Sequence, residues 1–163
     1  MKHKQSGLTA FELTVTLAII AVIAALTMPP YLNWLRKSRL QSATSNLTAD
    51  LEMAKVLAVR ENAIVVVAFG TSGYTIFVDN GEGGGTAADW NRNGTETIAQ
   101  LRDLPAGVTI DTDNLSFPVV ADKTRFNSRG IPADIVTPET ITVGHATRNR
   151  QITLNRLGNI EVQ

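Results

Sequence analysis

Residues 7–37 read GLTAFELTVTLAIIAVIAALTMPPYLNWLRK, and the organisation of the whole chain turns on them. From position 13 to 28 there is no charge, and only Thr14, Thr16 and Thr27 interrupt the hydrophobic side chains. A helix needs about 20 residues to cross the hydrocarbon of a bilayer, and residues 8–28 supply 21. Lys2, His3 and Lys4 would equally suit the basic end of a secretory signal cleaved near Ala24 and Ala25. The stretch beyond the two prolines argues against simple secretion. After Pro29 and Pro30, Leu32, Leu35, Leu40, Ala43, Leu47, Leu51, Ala54 and Ala58 recur at spacings of mostly three and four, with Arg36, Lys37, Arg39, Asp50, Glu52 and Lys55 largely between them. One helix over residues 8–61 is therefore expected, roughly 80 Å long at about 1.5 Å per residue. Pro29 and Pro30 remove backbone donors and should kink or loosen it.

Behind this helix the 163-residue chain has room for one ordinary domain. Fifteen basic and fifteen acidic residues balance, so no overall field draws the chain to nucleic acid or an anionic surface. The lack of cysteine excludes a disulfide framework, a thiolate metal site and a cysteine nucleophile. His3 and His145 are far apart in sequence, so no histidine-based triad or zinc site can be assembled from one chain. His145 is expected at a strand end.

Past Glu61 the pattern changes to short strands. Residues 63–69, AIVVVAF, and 74–78, YTIFV, flank a Gly70-Thr71-Ser72-Gly73 turn and predict a hairpin packed on the helix. Further strands are expected at 95–103, 108–111, 116–119, 124–126, 140–144, 151–154 and 159–162, with turn residues separating several of them. The fold class is α+β: a long N-terminal helix on a mostly antiparallel sheet or two small sheets. No internal repeat is visible.

Gly7-Leu8-Thr9-Ala10-Phe11-Glu12-Leu13, behind a short basic leader and ahead of an apolar helix, resembles the class III signal of type IV pilins and type II secretion pseudopilins. Leu8 and the Ala10-Phe11 pair depart from the usual Phe and Thr-Leu, while the glycine and glutamate match. The resemblance implies a pilin fold in four parts: a leader at 1–7, a transmembrane and polymerisation helix at 8–28, its amphipathic continuation at 29–61 and a β-rich head at 62–163. It implies cleavage after Gly7 and methylation of Leu8 by a prepilin peptidase, and assembly of a non-enzymatic subunit through Glu12. Pro29 falls where pilins carry a helix-loosening proline. The implied partners are other pilin or pseudopilin subunits, the peptidase, an inner-membrane assembly platform and lipid, with the head in the periplasm before the subunit joins a pilus or pseudopilus. In the strand region YTIFVDNGEGGG, RFNSRGIP and QITLNRLGNIEV are similar to the GspH/FimT group of minor pilins and pseudopilins, through Phe126, Asn127, Gly130 and Gly158.

Glu12 can also be reasoned about physically. A carboxylate is costly at bilayer depth, less so near the headgroups, and four residues from the new terminus is about 6 Å of helix. Inside a bundle of apolar helices it would need a positive partner, and the amine of a neighbouring mature terminus is the nearest one available.

Two readings of a different kind remain. Asp89, Asn91 and Asn93, with Gly94, fit the D-x-[DN]-x-[DN]-G spacing of a calcium loop. The twelfth position is Gln100, where a bidentate glutamate is needed, so a solvated polar loop is the expected state. Arg148, Arg150 and Arg156 could contact DNA phosphates, as in minor pilins that bind DNA, although no aromatic interleaves them and an exposed strand face is the simpler expectation. A membrane-anchored protein that never assembles is the third alternative.

Overall fold

The computed structural model describes residues 9–115, 117, 120, 122–133 and 135–163. The expected leader and Leu8 lie outside the described residues, as do Ser116, Pro118 and Val119 of one expected strand. Helix α1 (Ala10–Glu61) precedes β1 (Ile64–Gly70), β2 (Gly73–Asp79), β3 (Ile98–Asp103), β4 (Val108–Ile110), β5 (Lys123–Phe126), β6 (Glu139–His145), β7 (Arg148–Leu154) and β8 (Ile160–Val162). Contacts divide the chain into two compact units that part after Lys37.

In the first unit the helix carries Pro29 and Pro30 inside it. Its large apolar side chains, among them Leu17, Ile20, Val22, Ile23 and Leu26, are exposed. By length and composition α1 is able to cross a membrane.

The second unit, Ser38–Gln163, holds a complete core. Leu40, Ala43, Leu47, Leu51, Ala54 and Ala58 are all buried, as the spacing of three and four requires. Each large aliphatic side chain removed from water there contributes about 1.5–3 kcal/mol. Leu32 remains exposed, because it lies before the stretch that has a sheet to cover it. Two antiparallel four-stranded sheets complete the unit, in the orders β3-β2-β1-β5 and β4-β6-β7-β8. Val65, Val67 and Ile76 from the first and Ile141, Val143, Ile152 and Leu154 from the second join the helix residues in one cluster. Phe117 is buried and its ring stacks on Phe69 at 5.6 Å between centroids.

Candidate functional site

The apolar stem and its first turn form one candidate site. Thr9 is the N-cap of α1: its carbonyl accepts the Leu13 N–H at 3.1 Å, the first helical bond. Glu12 reaches back to that cap. Its Oε2 accepts both the Thr9 N–H at 2.9 Å and the Thr9 hydroxyl at 2.8 Å, and the Thr9 Oγ1 accepts the Glu12 N–H at 3.3 Å. This is a reciprocal capping box, and the T-x-x-E spacing that announces it stands in the sequence at positions 9–12. Glu12 therefore has a local structural job as well as a charge. Beyond it, Thr14, Thr16 and Thr27 turn their hydroxyls onto carbonyls three or four residues back, which removes their polarity from the stem surface.

In the head, one charged residue that the sequence sets among the polar positions of the helix is in the core. Asp50 is 7% exposed. Its Oδ2 accepts the Tyr74 hydroxyl at 2.7 Å and the Arg102 Nε at 2.6 Å, and its Oδ1 accepts Arg102 Nη2 at 3.3 Å. A single carboxylate thus fastens α1 to β2 and β3. Burial, and then the bond to Asp50, pushes the Tyr74 phenol well above its ordinary value, while the bond to Asp50 holds the Arg102 guanidinium all the more firmly protonated. Position 50 falls within the apolar repeat, one residue before Leu51, but nothing in the sequence identifies its partners.

The glycine-rich segment between β2 and β3 is not a loose loop. Asp79, 1% exposed, accepts the Ala88 N–H at 2.6 Å and the Trp90 N–H at 3.0 Å. Glu96, 1% exposed, accepts the Gly81 and Asn93 N–H groups at 2.8 Å each. From β5, Lys123 Nζ donates to the Trp90 carbonyl at 2.9 Å and Arg125 lies 4.2 Å from the Trp90 ring centroid. The segment thus covers the outer face of the first sheet, where Val66 and Phe77 are buried although their neighbours point to the helix.

The residues of the expected calcium loop are engaged within the chain. Asp89 Oδ1 accepts the Asn91 N–H at 2.8 Å and its Oδ2 accepts the Asn93 side-chain amide, so each oxygen of the first expected ligand takes part in a turn hydrogen bond. Asn91 Oδ1 accepts the Lys123 ammonium at 3.2 Å, which places a cation of the protein's own beside the second expected ligand. Among the described residues no cluster of three His, Asp or Glu side chains is poised around a common point.

Of the three arginines, Arg148 and Arg150 share β7 and Arg156 lies apart from them. Arg148 opens β7 opposite His145, and Arg150 lines a groove with Gln41, Thr44, Ser45 and Thr48 of α1. Arg156 lies beyond the other end of β7, in the turn to β8. His145 is the last residue of β6, packed against Gly107, with both ring nitrogens buried and no partner among the described residues.

A short repeat, hidden in the sequence by its spacing, appears in the turns after β5 and β7. In 127–131 the Asn127 Oδ1 accepts the Arg129 and Ile131 N–H groups, the Asn127 N–H donates to the Ile131 carbonyl and the Gly130 N–H donates to the Asn127 carbonyl. In 155–159 Asn155, Leu157, Gly158 and Asn159 repeat all four bonds. Both glycines adopt positive φ, +72° and +82°. A Cβ on Gly130 would stand 3.2 Å from Val59 and 3.3 Å from the Lys55 carbonyl, and one on Gly158 would stand 3.3 Å from the Gly130 carbonyl. Lys55 Nζ closes the group by donating to the Gly158 carbonyl at 2.7 Å. Phe126, fully buried, anchors the first turn in the core. The four residues singled out by resemblance are therefore one structural cluster on the helix.

Residues 43–158 match the family model described as type II transport protein GspH. No curated protein sequence matches the chain. Among solved structures, the type IV minor pilin FimU of Pseudomonas aeruginosa is similar with a TM-score of 0.58 and 17% identity, over 80% of this chain and 92% of that chain. A second crystal form of FimU gives 0.54 at 17% identity, over 76% and 91% of the two chains. The minor pseudopilin EpsH from the type 2 secretion system of Vibrio cholerae gives 0.50 at 16% identity, over 75% and 93%. These likenesses establish the pilin fold, and the family match, which covers most of the head and the helix beneath it, decides the rest: the chain belongs to the GspH family of pilin-like structural subunits.

Proposed function

We propose that the protein is a minor pilin or pseudopilin that waits in the inner membrane, with its head in the periplasm, and is cut after Gly7, methylated on Leu8 and drawn by an assembly platform into a filament through its stem. The observation behind this reading is the contrast between the halves of one helix. The residues from Leu40 onward bury their apolar face against two sheets, whereas those from Phe11 to Met28 leave theirs uncovered. Apolar surface of that extent has a stable home in lipid or in a bundle of like helices. Transfer between the two conserves burial, so the charge on Glu12 is free to choose the register by pairing with the new amine of a neighbouring subunit.

Deleting the prepilin peptidase should leave the membrane-bound chain heavier by its leader on intact-mass analysis. An unchanged mass would exclude processing and favour an anchored protein that does not assemble. Glu12→Ala should be processed and inserted normally but recovered at much lower yield in sheared filaments; normal recovery would remove the docking role.

A further inference from the structure

The stem carries two marks separated by about one hydrocarbon thickness, and we propose that they set its resting depth in a bilayer. Tyr31 and Trp34 lie at the periplasmic headgroup interface with Arg36 and Lys37 at the lipid phosphates, while the Thr9–Glu12 cap lies at the opposite interface. The inference rests on the reading of α1 as a membrane anchor.

Tyr31 and Trp34 stand three residues apart, on one side of the helix, with ring centroids 6.1 Å apart. They are 58% and 62% exposed, and among the described residues neither the Tyr31 hydroxyl nor the Trp34 indole N–H has a hydrogen-bond partner. Rings with an apolar body and a polar tip concentrate where hydrocarbon meets headgroups. Arg36 and Lys37 come within the next turn, and their long stems let the charges extend toward phosphate while the helix stays put.

The prolines point independently to the same level. Pro29 and Pro30 have no N–H, so the carbonyls of Ala25 and Leu26 lose their usual helical donors. Such carbonyls are costly at the centre of the hydrocarbon, and these two lie five and six residues before Tyr31, about 8–9 Å or under two turns from the aromatic level. From Glu12 to Tyr31 is 19 residues, about 28 Å of helix, against a hydrocarbon core of about 30 Å. The carboxylate at one end and the aromatic pair at the other can thus both meet headgroups with the helix upright, the side chains extending over the small remainder. The cap matters to this fit, because two N–H groups at the inner interface, those of Thr9 and Glu12, are satisfied within the chain.

The absence of cysteine makes the test direct. The full chain, reconstituted in phosphatidylcholine–phosphatidylglycerol vesicles, would carry single Ala18→Cys, Ala21→Cys, Ala25→Cys, Asn33→Cys or Ser42→Cys substitutions and be treated with a membrane-impermeant maleimide. Labelling at 18, 21 and 25 should be at least about tenfold slower than at 42, with the step falling between 25 and 42. Tyr31→Ala with Trp34→Ala should change the rate at position 33 about threefold or more. A step outside that interval, or one unmoved by the double substitution while 18 and 21 stay protected, would overturn the metering and leave the anchor intact. Uniform labelling along the stem would overturn the anchor reading as well. As a check free of the double variant, Trp34 fluorescence in a Trp90→Phe background should be quenched more by lipids brominated near the headgroup than by those brominated near the chain end; the reverse order would also overturn it.

Discussion

At the scale of single residues, Glu12 and Asp50 show two ways in which a carboxylate tolerates an apolar setting. Glu12 is bound to its own cap at an exposed turn, so the capping role and the proposed docking role can be separated. Thr9→Ala removes the cap and keeps the charge; Glu12→Gln keeps a capping side chain and removes the charge. If docking is electrostatic, Glu12→Gln will be depleted from filaments and Thr9→Ala will be incorporated, as read by immunoblot of sheared fractions; the opposite ranking would make the cap the important feature. Asp50 instead is buried between α1 and the first sheet with two donors. Asp50→Ala should lower the stability of the head by about 1.5–3 kcal/mol in urea denaturation, since it orphans the Tyr74 hydroxyl as well as losing a charged hydrogen bond. Arg102→Ala should cost at least as much, because it leaves the buried Asp50 carboxylate with the Tyr74 hydroxyl but without its cation. The raised Tyr74 value also fixes a sign. Folded protein holds the phenolic proton more tightly than unfolded, so this contribution is complete below the ordinary value of 10.0 and is lost as pH rises above it. The melting temperature should fall above that pH, and fall less steeply in Tyr74→Phe.

At the scale of elements, the twin asparagine turns explain why Phe126, Asn127, Gly130 and Gly158 travel together. Each turn needs a residue at positive φ, and the two glycine positions touch one another over Lys55 and Val59. Gly130→Ala and Gly158→Ala should each destabilise the head by about 1–3 kcal/mol, and the double variant should deviate from the sum of the singles because the sites share a contact. Additive losses would mean that the turns fold independently. The segment between β2 and β3 makes the complementary point. Its composition reads as a solvated loop, yet Asp79 and Glu96 hold it by four backbone N–H groups. Calcium should leave the melting temperature of the head unchanged, and Asp89→Ala should lower it equally with and without calcium; a shift confined to the parent protein would restore a metal site.

For the molecule as a whole, the stem and head are two solutions to one problem, the burial of a continuous helix. The head contains its own core from Leu40 to Leu154, so residues 38–163 alone should melt cooperatively and within a few degrees of the full chain in detergent. Much of this was legible in the sequence, because periodicity of 3.6 and 2 reports directly which faces lose water. Leu40, Leu47, Leu51 and the hairpin of β1 and β2 could be read that way. The uncharged run at the front was likewise legible as an apolar helix, since that is a local property of composition. The T-x-x-E cap was legible too but was overshadowed by the charge. Contacts between residues distant along the chain were not. Asp50 finds Arg102 across 52 positions and Lys55 finds Gly158 across 103. Arg156 is parted from Arg148 by the length of a strand, although the two are close in sequence. Local order along the chain was enough to specify the helix, its lipid-like half and most of the strands, because these depend on neighbours a few residues apart. Which polar groups are buried together was settled by the packing alone, because a carboxylate or glycine shows no sign of its partner until the sheets close over the helix.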